Sequence, residues 1–228
     1  MSKYIEVIAI VEGKTEQVFI QRVLAPYLGY KNIGMRVAQV SKPGQKGGNI
    51  RFSRVKDDLG RHLKQRSDTY ITTFIDYYGI KEWPGLEFLS PQALPAQIAE
   101  KINEATKAQV ISLFPAQNAV RRFIPFIAVH EFEALLFSDA KILARHLGIS
   151  ESKVVAVLTK CGSPEAINNS PQTAPSKRLH AWTPTGKFTK TSVGINIAKE
   201  IGIDKIRSKC PLFDAWLHII EELQREDQ

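Results

Sequence analysis

Eight residues near the start of the chain, Tyr4 to Val11 (YIEVIAIV), carry one charge among seven apolar residues, most of them β-branched. A run so short and so apolar has no polar face to turn to water. It reads as a strand buried on both sides, the kind found in parallel sheets covered by helices. Glu12-Gly13-Lys14-Thr15 follows, with Gly13 suited to a tight turn and Thr15 to a helix cap. Val18, Phe19, Val23, Leu24, Tyr27 and Leu28 then recur at helical spacing. The alternation continues. Met35–Val40 reads as a second strand, Arg51–Arg66 as a helix through Val55, Leu59 and Leu63, and Tyr70–Ile75 as a third strand ending at Asp76. Pro91–Ala108 reads as a helix and Ile124–Val129 as a fourth strand. The order β-α-β-α-β-α-β favours an α/β fold with a parallel four-stranded sheet flanked by helices.

After His130 the texture changes. Glu131–Phe137 looks like a helix start, Ala140–Leu147 and Lys153–Leu158 like short helices, and Ile195–Ile201 and Leu212–Leu223 like closing helices. Between them, residues 161–192 show no clear periodicity and read as a long functional loop. The expected organisation is an α/β domain over 1–138 with a helical and loop extension over 139–228 packed on it. At 228 residues, with 43% hydrophobic and 24% charged residues, the chain can bury one good core and is not a disordered sequence. No apolar run reaches the ~18 residues of a membrane span. Glu6 and Glu12 bracket the apolar run at the N-terminus, which therefore does not read as a signal peptide. Two cysteines make neither a disulfide framework nor a four-thiolate zinc site, so the expected compartment is the cytoplasm.

The net charge is +8, and residues 31–66 alone hold ten bases against two acids. Such a stretch suits a polyanion such as nucleic acid, or else a solvated helix face beside a basic loop at Pro43–Gly48. The acids show a pattern of their own. In open parallel sheets, ligands bind beyond the carboxyl ends of the strands. The first strand ends at Glu12, the third at Asp76, and the fourth at His130-Glu131-Phe132-Glu133. Each has a plainer role open to it: a surface turn for Glu12, a turn cap for Asp76, a helix N-terminus for Glu131 and Glu133. Gathered at one rim they would repel one another unless a hard cation held them, and Mg²⁺ (or Mn²⁺) with carboxylate, water and phosphate oxygens fits that need.

Several motifs resemble a known family. Val11-Glu12-Gly13-Lys14-Thr15-Glu16 resembles the first motif of Toprim domains, and Phe74-Ile75-Asp76-Tyr77-Tyr78-Gly79 sits where they carry an Asp-x-Asp-x-x-Gly motif. Together with His130–Phe137, Pro164–Asn168, Thr173–Leu179 and Cys210–Leu217, these segments are similar to the Toprim-like bacterial domain-of-unknown-function family 4276 over nearly the whole chain. The resemblance implies a Toprim-like fold related to nucleases of the overcoming-lysogenization-defect type. It implies Glu12 as general acid or base or metal ligand, and Asp76 as metal ligand. Tyr78 departs from the pattern where a second acid is expected, and Glu131 or Glu133 would supply the missing oxygen.

The candidate catalytic residues are therefore Glu12, Asp76 and His130, and the candidate metal ligands Glu12, Asp76, Glu131 and Glu133. Lys14, Lys177, Arg178 and Lys187 are the candidate phosphate or nucleic-acid contacts, with Lys190 as a further base of the late loop. Glu16 and Tyr78 are expected to support the site. Three functions stay open: a Mg²⁺-dependent nuclease or related phosphodiester-acting enzyme, a non-catalytic Toprim-like module that binds nucleic acid or protein, and a hydrolase of a small phosphorylated molecule, against which the basic stretch argues. The chain has no Walker motif, so an ATPase of the kind that works with related nucleases would be a separate partner, in a bacterial or phage-defence setting. Neither the substrate nor the oligomeric state can be read from these residues.

Overall fold

A computed structural model describes residues 4–40, 50–129, 131–167 and 172–226. Strand β1 (Ile5–Val11) leads into α1 (Lys14–Phe19), which continues through a π-helical segment, Ile20–Leu24, into α2 (Ala25–Gly29). Then come β2 (Ile33–Gln39), the short β3 (Ile50–Arg51), α3 (Phe52–Gln65), β4 (Thr69–Asp76) and the short β5 (Ile80–Lys81). They are followed by α4 (Pro95–Leu113), α5 (Ala119–Arg122), β6 (Phe123–Ile124) and β7 (Ile127–Ala128). Helices α6 (Ala140–Leu147), α7 (Glu151–Cys161), α8 (Pro175–Trp182), α9 (Ile195–Ile201), α10 (Ile203–Lys209) and α11 (Pro211–Glu226) complete the chain.

The main sheet is parallel throughout, in the order β2-β1-β4, with β6 and β7 in tandem along the far side of β4. This is the α/β architecture anticipated from the alternating pattern. Strand periodicity sorts the side chains onto two faces. Ile5, Val7, Ala9 and Val11 of β1 and Tyr70 and Phe74 of β4 pack with α1, α2, α6 and α9–α11. Ile8 and Ile10 of β1 and Ile71 and Ile75 of β4 pack with α3 and α4. The C-terminal helices thus share one core with the first strand.

The fourth strand departs from expectation. It is not continuous over 124–129 but splits around Pro125-Phe126. Proline has no N–H to give the ladder, and the side chains of β4 fill the gap. Thr73 Oγ1 donates to the Phe126 carbonyl at 3.0 Å and accepts from the Phe126 N–H at 2.9 Å. Thr72 Oγ1 donates to the Ile124 carbonyl at 2.6 Å and accepts the indole N–H of Trp216, on α11, at 2.9 Å. Two buried threonines thereby bridge the break, and Thr72 ties it to the C-terminal helix.

The region read as an unstructured loop also differs: its described part holds α8 and a helical turn at Lys190–Gly194. Glu131–Phe137 is a 3₁₀ segment, Phe132–Ser138, rather than an α-helix. Helix α10, preceded by Gly202 at φ 79°, gave no periodic signal of its own. No helix among the described residues is long and apolar enough to cross a membrane.

Candidate functional site

Because the strands are parallel, β1, β4 and β7 all deliver their following residues to the same end of the sheet. Glu12 follows β1, Asp76 closes β4, and Glu131 and Glu133 follow β7. After β4, β5 pairs in parallel with β3, Ile80 with Ile50 and Lys81 with Arg51. Glu12 is half-buried, and its carboxylate lies against the Cα of Gly79, in the space a Cβ would need. A side chain at 79 would therefore displace it. Gly13 is extended, at φ −142°, so it is not there for a left-handed turn. Its bareness admits the Glu16 carboxylate, whose Oε2 accepts the Gly13 N–H at 2.9 Å. Gly13, not Thr15, is the N-cap of α1, and Glu16 closes the cap from inside.

Asp76 is half-buried. Its Oδ1 accepts the Phe132 N–H at 3.0 Å, which pins the end of β4 to the segment after β7. Burial, then the charges of Glu16, Glu133, Glu12 and Glu131, push its pKa well above the ordinary carboxylate range. Glu16 is raised in the same way, chiefly by burial. Glu133, 1% exposed, is also raised by burial, although Lys190 pairs with it and pulls the other way. Burial disfavours the charge on Lys190 too, but Glu133, with Glu131 and Asp76 behind it, more than offsets this and raises its pKa. Glu131 takes a different role. Its Oε2 accepts the Ser176 N–H and its Oε1 the Ser176 hydroxyl, both at 2.9 Å, so it caps α8 from across the site. Burial and the charge of Glu131 raise the pKa of the Tyr78 phenol.

The other candidates are placed as follows. Lys14 is exposed and donates to Gln17 Oε1 at 3.0 Å. Lys177 is exposed, one residue beyond the serine that Glu131 grips. Arg178 is half-buried and its Nε donates to the Thr173 carbonyl at 2.8 Å, which makes it a brace of its own loop. Lys187 is exposed. His130 lies outside the described residues. Among the described residues, no three His, Cys, Asp or Glu side chains are arranged to hold a metal ion by themselves.

The basic stretch proves largely paired. Arg36 and Arg66 both meet Glu6, Arg51 meets Glu82 at 3.3 Å, Arg61 meets Asp58 at 2.8 Å and Lys31 meets Glu221 at 3.4 Å. Lys42 and Lys46 lie outside the described residues, as does the loop Pro43–Gly48. Sequence reasoning offered no ground for choosing Ser176 over its neighbours Thr173 and Thr185, and none for pairing Lys190 with Glu133.

A family model described as Domain of unknown function (DUF4276) matches residues 11–221. Among solved structures, the C-terminal region of the OLD protein of Xanthomonas campestris pv. campestris is similar, with a TM-score of 0.37 and 13% identity, over 97% of this chain and 96% of that one. No curated protein matches the chain.

Proposed function

The chain belongs to the Domain of unknown function (DUF4276) family, and from that premise we propose that it is a Toprim-type, Mg²⁺-dependent nuclease or related phosphodiester-acting enzyme on nucleic acid. The observation that carries the reading is Asp76. It is a half-buried carboxylate facing four others at the carboxyl end of a parallel sheet, with its pKa pushed well above the ordinary carboxylate range. Folding gains nothing from such a concentration of like charge, and strongly perturbed carboxylates in that position are a mark of function.

The donor set suits a hard cation, since every group is a carboxylate oxygen. Without a ready three-residue cage, such an ion would be held by one or two of Asp76, Glu12 and Glu133, with water and substrate phosphate completing the shell, which is the usual habit of Mg²⁺. Bound there, Mg²⁺ or Mn²⁺ would supply polarisation of a phosphoryl oxygen and stabilise the leaving oxygen. The chain's own groups do the rest. Glu12, half-exposed against Gly79, is placed to take a proton from an attacking water. Glu131 and Ser176 keep α8 in place, so that the exposed Lys177 stands at the rim for a phosphate contact. A separate ATPase partner and a role in bacterial defence belong to the same reading, through the Toprim resemblance of its motifs.

The second reading, a non-catalytic binding module, draws on Tyr78, which stands where a second acid is expected. The two readings separate in one experiment. Supercoiled, linear and single-stranded DNA and RNA are incubated with the protein in Mg²⁺ or Mn²⁺, and with the Glu12→Gln and Asp76→Asn variants. Cleavage lost in both variants supports the enzyme. Binding without cleavage, unchanged in either variant, leaves the module.

A further inference from the structure

Lys190 is the base that the acid cluster draws in. It opens the turn Lys190–Gly194, which packs against α1, the helix that carries Glu16. Its ammonium is paired with Glu133, a side chain 1% exposed. The other carboxylate oxygen of Glu133, Oε2, accepts no hydrogen bond among the described residues. The same ammonium acts on Glu131 and Asp76 and, more weakly, on Glu16. A carboxylate as enclosed as that of Glu133 needs a counter-charge close by, because an uncompensated buried charge is strongly destabilising. A lysine ammonium can serve as that counter-charge. It is a compact point charge on a flexible stem, held permanently by the chain, and it offers donors where a metal ion would accept lone pairs.

Resting on the metal-dependent reading above, we infer that Lys190 is a built-in counter-cation that takes the place of a second divalent ion beside Glu133, so that the cluster binds one divalent cation per chain, on the Glu12 and Asp76 side. The division of labour follows from burial. Glu133 is sealed, and its charge is answered at one oxygen by a cation that cannot leave. Glu12 is half-exposed and stands where an ion could enter and a phosphate could reach it. Lys190 is then a positioning residue: it fixes Glu133 and keeps the charge count low enough for one ion to suffice.

The test counts bound Mn²⁺ on the full chain by electron paramagnetic resonance, with no nucleic acid present. It compares the natural protein with Lys190→Met, Lys190→Arg and the double variant Lys190→Met/Glu133→Gln. The expected result is one Mn²⁺ per chain for the natural protein and for Lys190→Arg. Lys190→Met takes up two, or binds one at least tenfold more tightly, and the double variant returns to one at the natural affinity. If Lys190→Met does not fold in metal-free buffer, recovery of its native circular dichroism on adding Mn²⁺ supports the inference, and failure to recover it while Lys190→Arg folds overturns it. Two ions on the natural protein, or no change of number or affinity in Lys190→Met, also overturns it and leaves the metal-dependent reading intact. No ion on the natural protein but one on Lys190→Met overturns the count of one ion per chain. No Mn²⁺ on any of them overturns the inference.

Discussion

The two ends of the central sheet handle charge in opposite ways. At the amino end, Glu6 lies between Arg36 and Arg66, and Arg66 continues to Asp68 at 2.7 Å. Arg122, 6% exposed, spends its guanidinium on backbone: Nε reaches the Thr69 carbonyl at 2.8 Å, and Nη1 the carbonyls of Leu63 at 3.0 Å and Gln117 at 2.9 Å, while Nη2 takes that of Arg66. One side chain thus satisfies orphan carbonyls at the C-terminus of α3 and ties them to the start of β4. At the carboxyl end, Glu12, Glu16, Asp76, Glu131 and Glu133 act on one another, and Lys190 answers Glu133. The contrast shows where stability is built and where it is given up. The amino end is matched for folding, and at the carboxyl end the carboxylates outnumber the lysine that answers them.

The sharpest way to break this comparison is Arg122→Met. It strands four carbonyls in a nearly buried place, and a loss of about 3–5 kcal/mol is expected in urea unfolding. A loss below about 1 kcal/mol would mean that water replaces the guanidinium and that the amino end is not the anchor described.

Glu165 sits between the two behaviours. It is a buried acid with both oxygens bonded, accepting the N–H groups of Leu212 and Phe213 at 2.9 Å each and so capping α11. Burial outweighs those bonds and lifts its pKa to about 7. A raised acid pKa means that the folded chain holds the proton more tightly than the unfolded one. The contribution of Glu165 to stability is therefore full below about pH 4.5 and declines as pH rises through about 7. Glu165→Gln removes this decline. The stability of the natural protein relative to the variant is expected to fall by up to about 3 kcal/mol between pH 4 and pH 8, and a difference that is flat with pH contradicts the assignment.

At the acid end, removing a charge is expected to stabilise the fold, unlike the loss of Arg122. Asp76→Asn keeps an acceptor for the Phe132 N–H and removes a half-buried charge in a field of four others. It is expected to raise stability at pH 8, without divalent cations, by about 1–3 kcal/mol while abolishing Mg²⁺-dependent cleavage. Because the pKa of Asp76 is raised, the gain shrinks as pH falls back toward the ordinary carboxylate range. A destabilised Asp76→Asn would show that the five acids are not in tension. The smallest effect belongs to Glu6→Gln. Its arginine partners are about half-exposed, so the loss should stay below about 1 kcal/mol and fade at high salt. A larger, salt-independent loss would make the amino end as specialised as the other.

Much of the scaffold was legible because it rests on local periodicity. Helices α6 and α9 fall where their apolar spacing placed them, and β1 and β4 within a residue or two, β4 running to Asp76 as read. The strand-end acids were legible for the same reason: once the strands are parallel, their C-terminal residues share an end. The split at Pro125 could be anticipated from the missing N–H, but its repair by Thr72 and Thr73 could not, because nothing local marks a threonine that bonds a chain segment more than fifty residues away. The charged stretch over 31–66 looked like a free basic field because four of its partners, Glu6, Asp68, Glu82 and Glu221, lie outside it. Ser176 was indistinguishable from neighbouring hydroxyls until Glu131 reached it.

What the sequence determined by itself is the alternation of elements, the two-sided burial of the first strand and the order in which acids meet strand ends. These are consequences of side-chain period and of backbone hydrogen bonding within short segments. What only the tertiary structure decided is which charges are answered. Lys190 stands 57 positions from Glu133 in the chain, and their pairing exists because α1, the 3₁₀ segment after β7 and the turn before α9 pack together at one end of the sheet. Coulomb energy depends on separation in space and on exclusion of water, and neither is a property of position along a chain.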